Sequence, residues 1–205
     1  MKTVIVTTCF LFPMLTGFSQ SDSIRIQGKY GVQNEELAQL MDFQGLYVES
    51  FLITGAGLKD KSYKLVMNEF KNGKLANTEV LFDGTEAASL KVNSDSLKFR
   101  FFVSLDKDAL KMKTFLRTNR FGSKISSFPL LENKYAYSFQ DFLANPDFKN
   151  RPVNQPFPII AIITPTIHKD GWGSYCEVAQ SGVVPEKLGE KFNIPHYFIV
   201  MMEFK

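Results

Sequence analysis

The stretch S-Y-K-L-V-M-N-E-F-K-N-G-K-L-A-N-T-E-V-L-F, Ser62 to Phe82, decides the fold. Asn72-Gly73 supplies the two positive φ angles of a type I′ turn, and the flanking runs 62–70 and 75–82 are rich in apolar and β-branched residues. The spacing predicts an antiparallel hairpin, with Ala76, Thr78, Val80 and Phe82 sharing one face of its second strand.

The same period extends outward from the hairpin. Before it, Leu46 to Thr54 reads as a strand; after it, Leu97, Phe99, Phe101 and Val103 alternate with Lys98 and Arg100. Leu110, Met112 and Leu116 then alternate with Lys111, Lys113 and Arg117, and Tyr135, Tyr137 and Phe139 continue the pattern. Alternation of this kind marks sheets with one wet face. Turn signals recur about every 8 to 12 residues, the spacing of a sandwich or barrel. An all-β protein, an antiparallel β-sandwich, is predicted. A short N-terminal helix opens it, capped by Asn34, with Glu35 and Glu36 in its first turn and Leu37, Leu40 and Met41 on one face.

Residues 140–158 carry Pro146, Pro152, Pro156 and Pro158, and prolines at this density exclude interior ladder positions. A long loop on a rigid sheet is a candidate contact surface, so Phe148, Arg151 and Phe157 are taken as binding residues. Strands at 159–164, 174–180 and 196–204 are expected to rejoin the same sandwich. A small C-terminal β subdomain beginning near residue 150 is the alternative.

The chain opens M-K-T-V-I-V-T-T-C-F-L-F-P-M-L-T-G-F-S-Q. Lys2, the uncharged run 4–15 and the small residues Gly17 and Ser19 form a signal peptide spanning residues 1–19, too short to cross roughly 30 Å of hydrocarbon. A single domain of residues 20–205, exported to the periplasm or cell exterior, is expected. Cys9 leaves with the signal, so Cys176 is the only remaining cysteine and no intramolecular disulfide can form. The core must supply the stability, and 44% hydrophobic residues with 14% aromatic suffice for it. Loss of Lys2 lowers the formal charge from +3 to +2, which gives no reason to expect nucleic acid. No later run approaches membrane-spanning length.

The signal ending F-S-Q-S, followed by F-L-I-T-G-A-G-L-K-D-K-S-Y-K-L-V-M-N-E-F-K-N-G-K-L, resembles exported proteins of Gram-negative commensals, β-rich and roughly 200 residues long, whose function is unknown. The resemblance implies export and brings no site residues.

H-K-D-G-W-G-S-Y-C, His168 to Cys176, gathers residue types a thiol hydrolase uses: a cysteine nucleophile with His168 or His196 as its base. The simpler reading is a turn at 170–173 with Trp172 packed over it, running into a strand that carries Cys176 as a small buried hydrophobe. Asp60, Asp83, Asp106 and Asp108 lie in turns and would form a calcium-dependent surface site if the strands ran simply up and down. Lys98, Arg100, Lys111, Lys113, Arg117, Arg120 and Lys124 form a basic stripe able to hold acidic glycan or lipid head groups, and Lys111, Lys113, Arg117 and Arg120 are taken as binding residues. The chain has no phosphate loop, dinucleotide fingerprint or G-x-S-x-G elbow, and no cofactor is expected. The leading expectation is a non-enzymatic exported protein that binds an envelope protein or glycan. No feature bears on oligomeric state.

Overall fold

A computed structural model describes residues 23–131, 137–143, 149–175, 178 and 181–205. Its two main sheets are antiparallel throughout. The chain runs β1 (Ser23–Tyr30), α1 (Glu35–Phe43), β2 (Leu46–Thr54), β3 (Tyr63–Lys71), β4 (Lys74–Asp83), β5 (Ser96–Asp106), β6 (Lys111–Thr118) and β7 (Ser126–Pro129). It continues with β8 (Ser138–Asp141), β9 (Asn150–Pro152), β10 (Phe157–Ile163), the small hairpin β11 (Thr166–Ile167) and β12 (Gly173–Ser174), α2 (Leu188–Phe192) and β13 (His196–Phe204). One sheet has the order β7-β6-β5-β2-β1-β9 and the other β4-β3-β13-β10-β8. The all-β sandwich read from the sequence is the fold.

The Asn72-Gly73 turn forms as expected, with φ of 50° and 72° at its two residues and Lys71 opposite Lys74. The chain does not run simply up and down. β2 pairs β5, while β3 and β4 lie in the facing sheet, so the chain crosses between sheets after β2 and again after β4.

Alternation sets the core. Leu97, Phe99, Phe101, Val103 and Leu105 of β5 point inward together with Ile24, Ile26, Phe51, Ile53, Met112 and Leu116. They meet Tyr63, Leu65, Met67, Ile160, Ile162, Phe198, Val200 and Met202 from the other sheet. Phe51 and Phe99 stack with ring centroids 5.1 Å apart. Burial on this scale, at about 25 cal/mol per Å² of apolar surface, is the main source of stability for the sandwich.

The second sheet is buried on both faces along β10 and most of β13. Its outer side carries Phe70, Ala161, Ile163, Tyr197 and Ile199, which pack on Val178, Leu188, Phe192 and Ile194 from the segment around α2. The Tyr197 hydroxyl ties that cover down, lying 3.2 Å from the Pro185 carbonyl and 3.3 Å from that of Glu186. The double cover explains why every residue of β10 is buried and why β13 is apolar on both sides.

Several sequence readings are corrected. The helix exists, and Asn34 Oδ1 accepts from the Leu37 amide at 2.8 Å, but β1 precedes it, so it is not N-terminal in the fold. Its apolar side is not buried: Leu37, Leu40 and Phe43 are exposed, Phe43 by 87%. Of the strand expected over 174–180, Ser174 closes β12, Tyr175 lies outside it and Val178 has helical backbone, while 176, 177, 179 and 180 lie outside the described residues. Thr78 and Val80 of β4 stay exposed, because this edge strand carries register shifts and buries only Leu81 and Phe82. Leu110 turns through φ 47° rather than joining β6. The signal segment and Tyr135 lie outside the described residues.

Candidate functional site

A substantial concavity lies on the outer face of the six-stranded sheet. Strand alternation turns Arg25, Gln27 and Lys29 of β1 outward, opposite Thr54, Leu52 and Ser50 of β2. β5 lies on the other side of β2 and sets Lys98 beside Leu52, Arg100 beside Ser50 and Phe102 beside Val48. Residues 31–34, which lead from β1 to α1, wall the groove, and the Gly31 amide donates to the Val48 carbonyl at 2.8 Å. Gly31 takes φ 75°, a left-handed conformation that suits glycine at this exit from the strand.

The groove holds about 670 Å³, within the range of small-ligand sites. Val48, Leu52 and Phe102 give it an apolar floor; Gln27, Gln33, Asn34 and Ser50 supply hydrogen-bonding groups; Lys29, Lys98 and Arg100 supply positive charge. None of its lining residues is acidic. Lys98 and Arg100 belong to the basic stripe seen in the sequence, and Lys111, Lys113 and Arg117 continue it exposed on β6. Arg120 is committed elsewhere, its guanidinium donating to the carbonyls of Ser89 and Lys91.

The proline-rich segment is not a free loop over its described residues. Arg151 sits in β9 opposite Ile24. Phe157 opens β10 at 1% exposure and packs on Phe204, so it belongs to the core and not to a contact surface. Phe148 lies outside the described residues.

The four turn aspartates are not brought together. Asp60 and Asp83 lie at the end of the sandwich where β3 and β5 begin, because the Asp60 amide donates to the Val92 carbonyl and Asp83 pairs with Lys64. Asp106 and Asp108 lie at the far end of β5. Asp83 is occupied as well: the Thr85 hydroxyl at 2.6 Å and amide at 3.0 Å, then Lys64 at 3.2 Å, hold its carboxyl down at about 2. Asp106 caps its own turn by accepting from the Ala109 amide at 2.9 Å. Among the described residues no three His, Cys, Asp or Glu side chains are gathered as a metal would need.

The two histidines sit in unlike places. His168 is exposed on the β11–β12 hairpin, with Nε2 2.9 Å from Ser174 Oγ. The expected turn forms there, closed by His168 and Trp172 backbone groups and by Asp170 Oδ1, but Trp172 is 76% exposed rather than buried over it. His196 is 1% exposed, held between the Tyr137 hydroxyl at Nδ1 and Glu69 Oε1 at Nε2. Burial pushes the Tyr137 phenol up to about 12, which makes it a poor nucleophile. Cys176, the nucleophile a thiol hydrolase would need, lies outside the described residues.

Sequence reading missed Gln27, Lys29 and Ser50 of the groove. The signal was the alternation of Ile24 and Ile26 with Arg25, Gln27 and Lys29, which is that of a strand with one wet face. Compared with protein-family models, curated proteins and solved structures, the chain finds no match. Among the described residues no helix is long and apolar enough to cross a membrane.

Proposed function

We propose that the chain is a non-enzymatic, exported binding module of the cell envelope whose ligand, an envelope protein or glycan, sits on the outer face of the six-stranded sheet. The observation that carries this reading is the groove itself. A rigid sheet presents apolar floor, amide and hydroxyl partners and three cations in one concavity, and its lining carries no histidine, cysteine or carboxylate. Export rests on the signal-like opening of the sequence.

Expression of the tagged chain in a Gram-negative host tests both parts. The mature protein should lose about twenty residues at its N-terminus and fractionate with the envelope. Ser50→Trp, which fills the groove from its centre without touching the core, should abolish retention by envelope material while leaving the melting temperature unchanged. Uncleaved cytoplasmic protein would refute export, and full retention of Ser50→Trp would refute the groove.

A further inference from the structure

The cations of the outer face stand in register. Lys29 is opposite Ser50, Ser50 is opposite Arg100, and Arg100 is opposite Arg117, so one row crosses β1, β2, β5 and β6 at right angles to the strands. At about 4.8 Å per strand its ends lie roughly 14 Å apart. Lys98 flanks Arg100 two residues along β5, roughly 7 Å away. On the row's other side Phe102 lies opposite Phe115, their ring centroids 6.1 Å apart.

Among the described residues no ion pair neutralises this row. The ion pairs among the described residues are Lys64–Asp83, Lys71–Glu69, Lys124–Glu79, Lys205–Glu203 and His196–Glu69; none uses Lys29, Lys98, Arg100 or Arg117. Two arginines directly opposite each other weaken a sheet. An anionic chain laid along the row reverses that term, because each of its charges would sit between cations that otherwise repel.

Resting on the binding role proposed above, we infer that the ligand is an anionic polysaccharide lying across the strands, its acid groups on Lys29, Lys98, Arg100 and Arg117. The rest of the groove discriminates among polyanions. Phe102 presents a ring to the C–H face of a sugar, while the amides of Gln27 and Gln33 and the hydroxyl of Ser50 match sugar hydroxyls. A flat lipid surface would not enter a groove walled by residues 31–34, and α1 carries Glu35 and Glu36 in its first turn and no basic residue in its last, which opposes an anionic membrane.

The test uses the signal-cleaved chain with polygalacturonate, neutral dextran, phosphatidylglycerol-containing vesicles and duplex DNA as probes, each titrated at about 50 and about 200 mM salt. Polygalacturonate should bind, weaken as salt rises, and bind Arg100→Ser/Arg117→Ser roughly tenfold or more weakly. Dextran should not bind, and the double variant should melt no lower than the parent, since a like-charge pair has been removed. Equal binding of dextran and polygalacturonate, or an unchanged double variant, overturns the anionic ligand; if Ser50→Trp still abolishes binding, the groove itself stands. Preference for vesicles or DNA overturns it in favour of a membrane or of non-specific charge attraction. Failure of every probe overturns it as well, and retention of the parent chain by envelope material would then show that the groove serves another partner.

Discussion

His196 Nε2 lies 2.9 Å from Glu69 Oε1, joining side chains 127 positions apart at one end of the second sheet. Lys71 Nζ approaches the same carboxylate oxygen at 2.7 Å, and the Tyr137 hydroxyl meets His196 Nδ1. Burial raises the Glu69 carboxyl, but hydrogen bonds from Lys71 and His196 outweigh it and leave the group below its usual range. Burial lowers the imidazole in turn, outweighing the opposite pull of Glu69. His196 is therefore neutral, donating from Nε2 to Glu69 and accepting at Nδ1 from Tyr137, whose oxygen accepts the Leu131 amide at 3.3 Å.

This pairing fixes a pH response. The unfolded imidazole titrates near 6.5 and the folded one lower, so below 6.5 the unfolded chain binds more protons. The histidine's contribution is complete above that pH and is lost as pH falls toward the depressed folded value. His196→Gln should cost about 1–3 kcal/mol near neutrality, and the parent's lead in melting temperature over this variant should shrink between about pH 7 and 5. An equal slope in the variant would count against a neutral, buried His196.

Glu49 works in the opposite direction. It points into the core at 1% exposure, its Oε2 has no hydrogen-bond partner, and burial, with Asp141 adding to it, pushes its carboxyl up to about 8. Between 4.5 and about 8 the folded chain binds the extra proton, so this group's contribution declines as pH rises through that window. Glu49→Gln should melt higher than the parent at about pH 9 by roughly 4 °C or more, with the gap closing toward acid pH. A variant that gains nothing in alkali would show that the carboxyl is solvated.

Gly28 is the space Glu49 occupies. A Cβ at this position would lie 2.3 Å from Glu49 Oε1 and 2.6 Å from Leu143 Cδ1. Gly28→Ala should therefore cost about 1–3 kcal/mol in chemical denaturation. Combining it with Glu49→Ala should cost less than the sum of the two single changes, since the smaller side chain vacates the space the new methyl needs. Strict additivity would place the strain elsewhere.

Leu188 is the fully buried anchor of the segment that covers the second sheet's outer face. Leu188→Ala should cost about 2–5 kcal/mol and raise amide exchange over residues 183–194 before the sandwich strands are affected. Uniform exchange across the chain would mean that the cover and the sandwich open as one unit.

The parts of the fold legible in sequence were those where one local rule sufficed. Asn72-Gly73 demands a primed turn, and Leu97 to Leu105 alternates without interruption because one face of β5 meets the core and the other meets water. β1 offers only Ile24 and Ile26 to the core before Gly28 breaks the pattern, and it exists because β2 and β9 pair with it on either side. β9 itself is three residues at a sheet edge, ending at Pro152, where no partner needs the missing amide. Phe157 looked like a contact residue because prolines surround it, but pairing with Met202 draws it into the core. Half of the groove was visible as Lys98 and Arg100. The other half required the neighbour relation β1-β2-β5, since Lys29 joins Arg100 only across Ser50, and sequence spacing carries no trace of that row.

The most direct test of the groove is a backbone amide map of the chain from residue 20 onward titrated with polygalacturonate. Shifts should concentrate at Gln27, Lys29, Ser50, Lys98, Arg100 and Arg117 and saturate together, leaving the exposed Trp172 hairpin and α1 unmoved. Saturating shifts around Trp172 or α1 with the groove silent would contradict the account, and would place ligand binding on a surface with a different chemistry.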